Sequence, residues 1–230
     1  MSNLVDIVQG IINTIDTNIT VLSTDGVRVN LCSTLWITTG KRVTDEGGNE
    51  YTVTGFLNNE WIDVTPYNGA PVFSGSTVIA PSITFLHGSP SSTNSEYLQI
   101  SKRTREKTPF IWLLESYEYT DQGLESLIEA NYDARMFFMD ETNVTKWIND
   151  EHNTRAIKPM ENLVKAFKDV IDNDYSIKRM DSFRSRVRPR FGVEVTNQGS
   201  KDKIIDADLS GVEVNMTIEL YDLSICNNNC

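Results

Sequence analysis

A long alternation of apolar and polar residues, spanning residues 182–221, constrains the fold more than any other feature of this sequence. Its first arm, residues 182–197, places apolar residues at every second position: Val187, Pro189, Phe191, Val193 and Val195. The positions between them carry a row of arginines: Arg184, Arg186, Arg188 and Arg190. The second arm repeats the alternation, with Val212, Val214, Met216, Ile218 and Leu220. Because successive side chains of a strand point to opposite faces, the two arms predict an antiparallel pair with one buried apolar face and one arginine-bearing face.

The distribution of charge separates this segment from the rest of the chain. The 230 residues carry a net charge of −11, yet residues 178–203 contain eight basic and three acidic side chains. An acidic protein is a poor candidate for a general nucleic-acid binder, which needs a basic surface. A basic stripe on an acidic body instead favours head-to-tail association or the steering of a charged ligand.

Cysteine content and hydropathy give expectations about the environment of the protein. Cys32, Cys226 and Cys230 are too few for a disulfide framework, and the sequence shows neither a secretory signal nor an apolar run of bilayer length. We therefore expect a soluble protein made in a reducing cytosol. The spacing of Cys226 and Cys230 suits two metal ligands, but a structural zinc site needs four, so we expect a mobile tail and no metal or cofactor.

The first 90 residues predict one helix followed by a small β-rich unit. Residues 3–16 place apolar side chains at helical spacing, with Asn3 available as a cap. Short β-rich runs between residues 20 and 85, separated by Gly and Asn turns, predict a small barrel or meander. The clearest hairpin joins residues 51–56 to 61–64, with asparagine supplying a positive φ in the turn.

The composition of residues 87–95 is typical of a linker, so we place a domain boundary there. The prediction is an N-terminal helix at 1–19 that packs with the C-terminal domain, a barrel-like unit at 20–90 and an α+β domain at 91–230. Within the last domain we predict a buried strand at 110–114, a strand at 132–140 and a helix that begins at Pro159. The apolar face of the closing hairpin is predicted to pack under that helix.

Residue types that could carry catalysis are present but poorly arranged. A small hydrolase would need a reactive serine near His87, and the sequence has no Gly-x-Ser-x-Gly motif. We interpret His87 as a linker residue, His152 as a polar loop or capping residue, and Asp206 and Asp208 as turn residues. No enzymatic activity is predicted.

The order of the predicted elements resembles that of the tail-terminator and tail-completion proteins of tailed bacteriophages. Four segments resemble neck-region proteins from phages of Bacteroidetes, including the crAss-like group: residues 109–115, 134–140, 157–160 and 206–212. The resemblance covers residues 98–225 and the N-terminal helix. It implies a tail-terminator-like antiparallel sheet packed by helices, into which the small β-rich unit is inserted.

The resemblance also implies a structural role in the virion. The expected assembly is a hexameric or dodecameric ring in the phage neck, through which the genome passes, between portal-side connector proteins and tail-tube or tail-hub proteins. Heterologous contacts of such a ring need two different patches, and we expect Arg184, Arg186, Arg188 and Arg190, joined by Lys102, Arg103 and Arg105, to form one of them. The arginine row could instead be a solvated sheet face whose charge is balanced by Glu213 and Glu219 on the adjacent strand. The alternative is a ligand- or host-protein-binding module that uses Trp61, Tyr67 and Phe73 as an aromatic platform.

Overall fold

The computed structural model describes residues 4–103, 107–114, 118–121, 130–142, 146–174, 177–195 and 201–220. These residues form an α+β fold with two main sheets, one of which closes into a six-stranded barrel. The predicted fold class is confirmed at this level. The division into units at 1–19, 20–90 and 91–230 stays a prediction.

The barrel contains the first six strands, in the order β1-β2-β5-β4-β3-β6. Its strands are β1 (Asn18–Thr24), β2 (Arg28–Leu31), β3 (Arg42–Asp45), β4 (Glu50–Leu57), β5 (Trp61–Pro66) and β6 (Thr77–Ile79). The predicted hairpin is β4 paired with β5, and Asn59 in its turn has φ +60°. The last of the predicted β-rich runs, residues 77–85, forms parts of two strands, because β6 belongs to the barrel and residues 84–88 join the second sheet.

The second sheet has the order β11-β14-β10-β8-β7, with β9 also paired to β10. Its strands are β7 (Thr84–Gly88), β8 (Phe110–Leu114), β9 (Glu118–Asp121), β10 (Ala130–Glu141), β11 (Ile177–Phe191) and β14 (Leu209–Leu220). Strands β7 and β8 are parallel and are connected through α2 (Pro90–Arg103). The strands predicted at 110–114 and 132–140 are confirmed.

The predicted linker at residues 87–95 is wrong, because it contains the end of β7 and the first turns of α2. Ser89 precedes the helix, and its hydroxyl oxygen accepts a hydrogen bond from the Ser92 backbone N–H at 3.3 Å. Pro90 occupies the first helical position, where its missing N–H costs nothing. The serine and proline residues that are typical of a linker are therefore helix-start residues here.

The helix predicted from Pro159 is present, with Pro159 in the first turn of its α-helical segment, but it continues a longer helical run that was not predicted. A continuous helical run comprises α3 (Asn149–His152), a π-helical turn (Asn153–Ile157) and α4 (Lys158–Asn173). Proline inside an α-helix lacks a donor and collides with the carbonyl four residues earlier. In the π turn the Lys158 N–H donates to the Asn153 carbonyl five residues back, which widens the backbone immediately before Pro159.

The second sheet has two differently covered faces, which we call the inner and the outer face. Helices α1 (Leu4–Thr14) and α4 lie on the inner face, and a single apolar core joins them to the sheet and to the interior of the barrel. Helix α2 covers only part of the outer face, above a second cluster in which Trp112 stacks on Phe137 with ring centroids 4.9 Å apart. The rest of the outer face is polar.

The closing hairpin is the antiparallel pair of β11 and β14. Val212, Val214, Met216 and Ile218 of its second arm are buried on the inner face as predicted. The first arm differs from the prediction. Val187 lies opposite Val212 but is 43% exposed, so the inner face of β11 is only partly covered at this position. Beyond Gly192, β12 (Val193–Val195) leaves β11 and pairs with β13 (Lys201–Lys203) in a separate hairpin.

Substituting alanine at two glycines should change stability in opposite directions. A Cβ at Gly211 would lie 1.9 Å from the Phe138 carbonyl oxygen of the neighbouring strand, so Gly211→Ala must displace backbone. We expect it to lower the free energy of unfolding by about 3 kcal/mol or more. Gly10→Ala, on the exposed side of α1 with no atom within 4 Å, should raise it by about 0.5–1 kcal/mol. Urea denaturation of both variants tests the pair, and a tolerated Gly211→Ala would contradict the close approach of β10 and β14.

Candidate interaction surface

The four arginines of the closing hairpin do not share one environment. Arg184 lies opposite Asn215 and Arg186 opposite Glu213, which places both on the outer face of the sheet. Both side chains are exposed, and neither forms an ion pair with another residue of the described ranges. They are the part of the predicted arginine row that remains open to a partner.

Arg188 is engaged within the sheet. Its guanidinium pairs with the carboxylate of Glu213, whose other oxygen accepts a hydrogen bond from Arg135 Nε at 2.7 Å. Glu213 is only 4% exposed. Burial raises the pKa of Glu213, but the hydrogen bonds from Arg188 and Arg135 outweigh this effect and hold the pKa below its usual range. Arg188 therefore neutralises a buried carboxylate and is unavailable as a free cation.

Arg190 leaves the arginine row altogether, contrary to the prediction. A bulge between Arg188 and Phe191, with φ +53° at Arg190, shifts the alternation by one residue. Phe191 consequently joins the aromatic cluster on the outer face, 4.9 Å from Phe137 between ring centroids. The Arg190 guanidinium donates instead to Asn149 Oδ1, at the start of α3, at 2.9 Å.

Arg184 borders a shallow groove of about 480 Å³ on the open half of the outer face. Arg135 and Asn215 line the same groove, and Asp133 accepts a hydrogen bond there from the Thr217 hydroxyl. The sequence prediction missed Arg135. The alternation of β10 could have revealed it. Arg135 is two residues from Asp133, so both side chains lie on the same face of the sheet as the polar residues of β14.

The second predicted basic cluster is described only in part. Lys102 and Arg103 belong to the last turn of α2, while their side chains and the whole of Arg105 lie outside the described residues. Their proposed role as an extension of the arginine surface stays a prediction.

A buried ion pair, which the sequence did not indicate, joins the barrel to the second sheet. Lys41 Nζ, just before β3, lies 2.7 Å from Asp140 Oδ1 on β10, and the two side chains are 10% and 2% exposed. The ammonium group also donates to the Thr108 carbonyl at 2.6 Å and to its hydroxyl. Thr38 donates to the second Asp140 oxygen at 3.1 Å. These groups lie at the base of a cleft of about 430 Å³.

Because the ion pair is buried, Asp140→Ala should leave an uncompensated ammonium group and lower the free energy of unfolding by about 3–5 kcal/mol. The double variant Lys41→Met/Asp140→Leu should lose less than Asp140→Ala alone, since it removes both charges. Asp172→Ala, which breaks the exposed pair with Lys168, is the control and should cost about 0.5 kcal/mol or less. Equal losses for the single and double variants in chemical denaturation would contradict a stability role for the charges.

His152 is not the polar loop residue that the sequence predicted. It is fully buried in α3, its Nδ1 lies 3.0 Å from the Ser210 hydroxyl on β14, and the Trp147 ring packs edge-on against it. Its Nε2 has no partner at hydrogen-bond distance within the described ranges. Burial lowers the pKa of His152, and the charge of Arg190 lowers it further, while Trp147 and Glu151 act in the opposite direction without outweighing them.

The stability of the protein should therefore fall in mild acid partly because of His152. With its pKa lowered in the folded state, the group takes up a proton more readily in the unfolded state. The free energy of unfolding therefore decreases as the pH falls below 6.5, the ordinary pKa of histidine. We expect His152→Gln to flatten the difference in urea midpoint between about pH 8 and about pH 5. Substituting the exposed His87 is the control, and an unchanged slope for His152→Gln would contradict the assignment.

His87 and Asp206, the remaining candidate catalytic residues, lie in a strand and in a turn. His87 is an exposed residue of β7, not of a linker. The backbone N–H of Asp206 donates to Asn94 Oδ1 at 2.8 Å, and its carboxylate accepts from the same side chain, which fixes the turn against α2.

The proposed aromatic platform is not formed as predicted, because Phe73 is buried in the barrel. Arginines cover the other two rings. Arg28 lies 3.7 Å from the centroid of Trp61, and Arg42 lies at the same distance from Tyr67.

The described residues contain neither a cluster of metal ligands nor a helix that could span a membrane. No group of three or more His, Cys, Asp or Glu side chains there is placed to hold a metal ion. None of the helices in the described ranges has the length and apolar character needed to cross a membrane. Cys32 is exposed, and Cys226 and Cys230 lie outside the described residues.

Comparisons of the chain with models of known protein families, with curated proteins and with solved structures found no match.

Proposed function

We propose that the protein is a structural component of a bacteriophage virion that forms a ring in the neck between head and tail. The observation that carries the proposal is the pair of exposed arginines, Arg184 and Arg186, on the half of the outer face that no described helix covers. Isolated guanidiniums side by side repel each other unless an acidic partner is near. A second copy of this chain, with its net charge of −11, is such a partner.

The arrangement of the second sheet also supports an assembly role. The inner face is buried by the helices and the barrel, whereas half of the outer face carries only polar and charged side chains. Among the described strands β11 is at the edge of the sheet and pairs with β14, and its arginine-bearing part is exposed. An edge strand with charged side chains resists uncontrolled strand pairing and still offers a specific electrostatic contact.

In this proposal the genome passes through the ring, and portal-side connector proteins and tail-tube or tail-hub proteins are its axial neighbours. The protein would be assembled in the host cytoplasm and retained in the virion. Its role is mechanical, and no reaction is assigned to it. The exposed arginines support self-association, and the resemblance of residues 98–225 to neck proteins, inferred from the sequence, suggests the neck as the place of that association.

The double variant Arg184→Glu/Arg186→Glu tests the proposal. Wild-type protein should form closed multimers at low ionic strength, visible by native mass spectrometry and negative-stain microscopy. Added salt should weaken these multimers, since exposed charge pairs are screened. The double variant should be monomeric under the conditions in which the wild type is a ring.

The matched control is Lys158→Glu/Lys165→Glu, which makes the same change in net charge at two exposed positions of α4. It should keep the ring. A wild-type protein that stays monomeric at every concentration and salt, or a double arginine variant that assembles like the wild type, would contradict the proposal.

A further inference from the structure

An acidic groove lies between the end of α1 and the last turns of α4, on the helix-covered side of the molecule. Its volume is about 710 Å³, and its floor is apolar, formed by Ile15, Leu35, Ala166 and Val170. Its rim carries three carboxylates, those of Asp16, Asp169 and Asp174, together with the amides of Asn18 and Asn173. None of the described residues that line it is basic.

The end of α4 strengthens the preference of this groove for a cation. A helix carries a partial negative charge at its C-terminus, where lysine and arginine are favourable. The last turn of α4 has no basic residue, and Asp169 and Asp172 lie near its end instead. Asp172 pairs with Lys168, whereas Asp169 has no ion pair with another described residue. A positive group bound in the groove would offset both the carboxylates and the helix end.

The groove and the open arginines lie on opposite sides of the second sheet. α4 packs on the inner face, with Phe167 against Phe138 at 5.4 Å between ring centroids. Arg184 and Arg186 project from the outer face. The two surfaces therefore cannot meet within one molecule, whereas two molecules can bring them together.

We propose that the acidic groove of one copy receives the β11 edge of a second copy. The inference rests on the proposed self-association and names the surface that the arginines contact. Arg184 and Arg186 are two residues apart on a strand, so their side chains leave the backbone about 7 Å apart and can reach separate carboxylates on the groove rim. Joining two different surfaces makes the contact heterologous, the type that generates rings.

Charge reversal on each surface allows a mixing experiment. One variant, Arg184→Glu/Arg186→Glu, keeps the acidic groove, and the other, Asp16→Lys/Asp169→Lys, keeps the arginine edge. Each alone should be monomeric, because its own edge and groove then carry charges of the same sign. An equimolar mixture should assemble again with alternating subunits, since the glutamate edge fits the lysine groove and the arginine edge fits the aspartate groove.

Native mass spectrometry of the mixture, with one variant labelled by heavy isotopes, reads out the alternation directly. Assembly that contains equal numbers of both variants supports the groove. If the arginine variant fails to assemble but the aspartate variant still forms rings, the arginines contact another surface and the groove assignment is wrong while the ring proposal stands. If wild-type protein never self-associates, the ring proposal itself fails.

A single substitution separates loss of assembly from loss of folding. Asp169→Lys places a cation near the end of α4, where it favours the helix, so the isolated monomer should melt at a higher temperature than wild-type monomer measured at high salt. The same substitution should weaken ring formation at low salt. If the variant melts at a lower temperature and also assembles less, misfolding explains the weaker assembly, and this result contradicts the inference.

Discussion

The buried ion pair between Lys41 and Asp140 determines how the two halves of this protein fit together. Apolar surfaces such as those shared by the barrel and the inner face of the second sheet attract each other without a preferred direction. The ammonium group of Lys41, in contrast, must meet Asp140 and Thr108 at hydrogen-bond distance, because an unpaired charge at that depth is costly. Lys41 therefore helps to fix the position of the barrel relative to the sheet that carries the arginines, together with Asn162 of α4, whose amide donates to the Leu35 carbonyl at 2.7 Å.

The sequence predicted the type of most elements because each has a strong local pattern. The helix at residues 3–16, the β4–β5 hairpin and the apolar strands at 110–114 and 132–140 all have such patterns, and the structure contains them. The errors occur where the same residue type is common in two different kinds of local structure. Ser89 and Pro90 are typical of a linker but also start α2, and Pro159 is typical of a helix start but follows a π turn that accommodates it.

The candidate surface was predictable only in part, since the alternation of a strand holds only while its register is unbroken. Up to Arg188 the arginines lie on the expected face, and the bulge at Arg190 then moves Phe191 to the outer face. A positive φ at arginine has no sequence signal, because glycine is the residue that usually marks such a position. The pairing of Glu213 with two arginines, and of Lys41 with Asp140 across 99 positions, depends on tertiary contacts that local patterns do not encode.

The placement of the arginine edge and the acidic groove on opposite sides of one sheet has a geometric consequence. Subunits of a closed heterologous ring are related by rotation about a single axis, so equivalent parts of all copies lie at the same height along that axis. The barrel is held to its sheet by a buried ion pair and a continuous core, and it therefore keeps one orientation in each copy. In the proposed assembly the barrels would consequently repeat with the same rotational symmetry as the sheets, each at the same position relative to its own sheet.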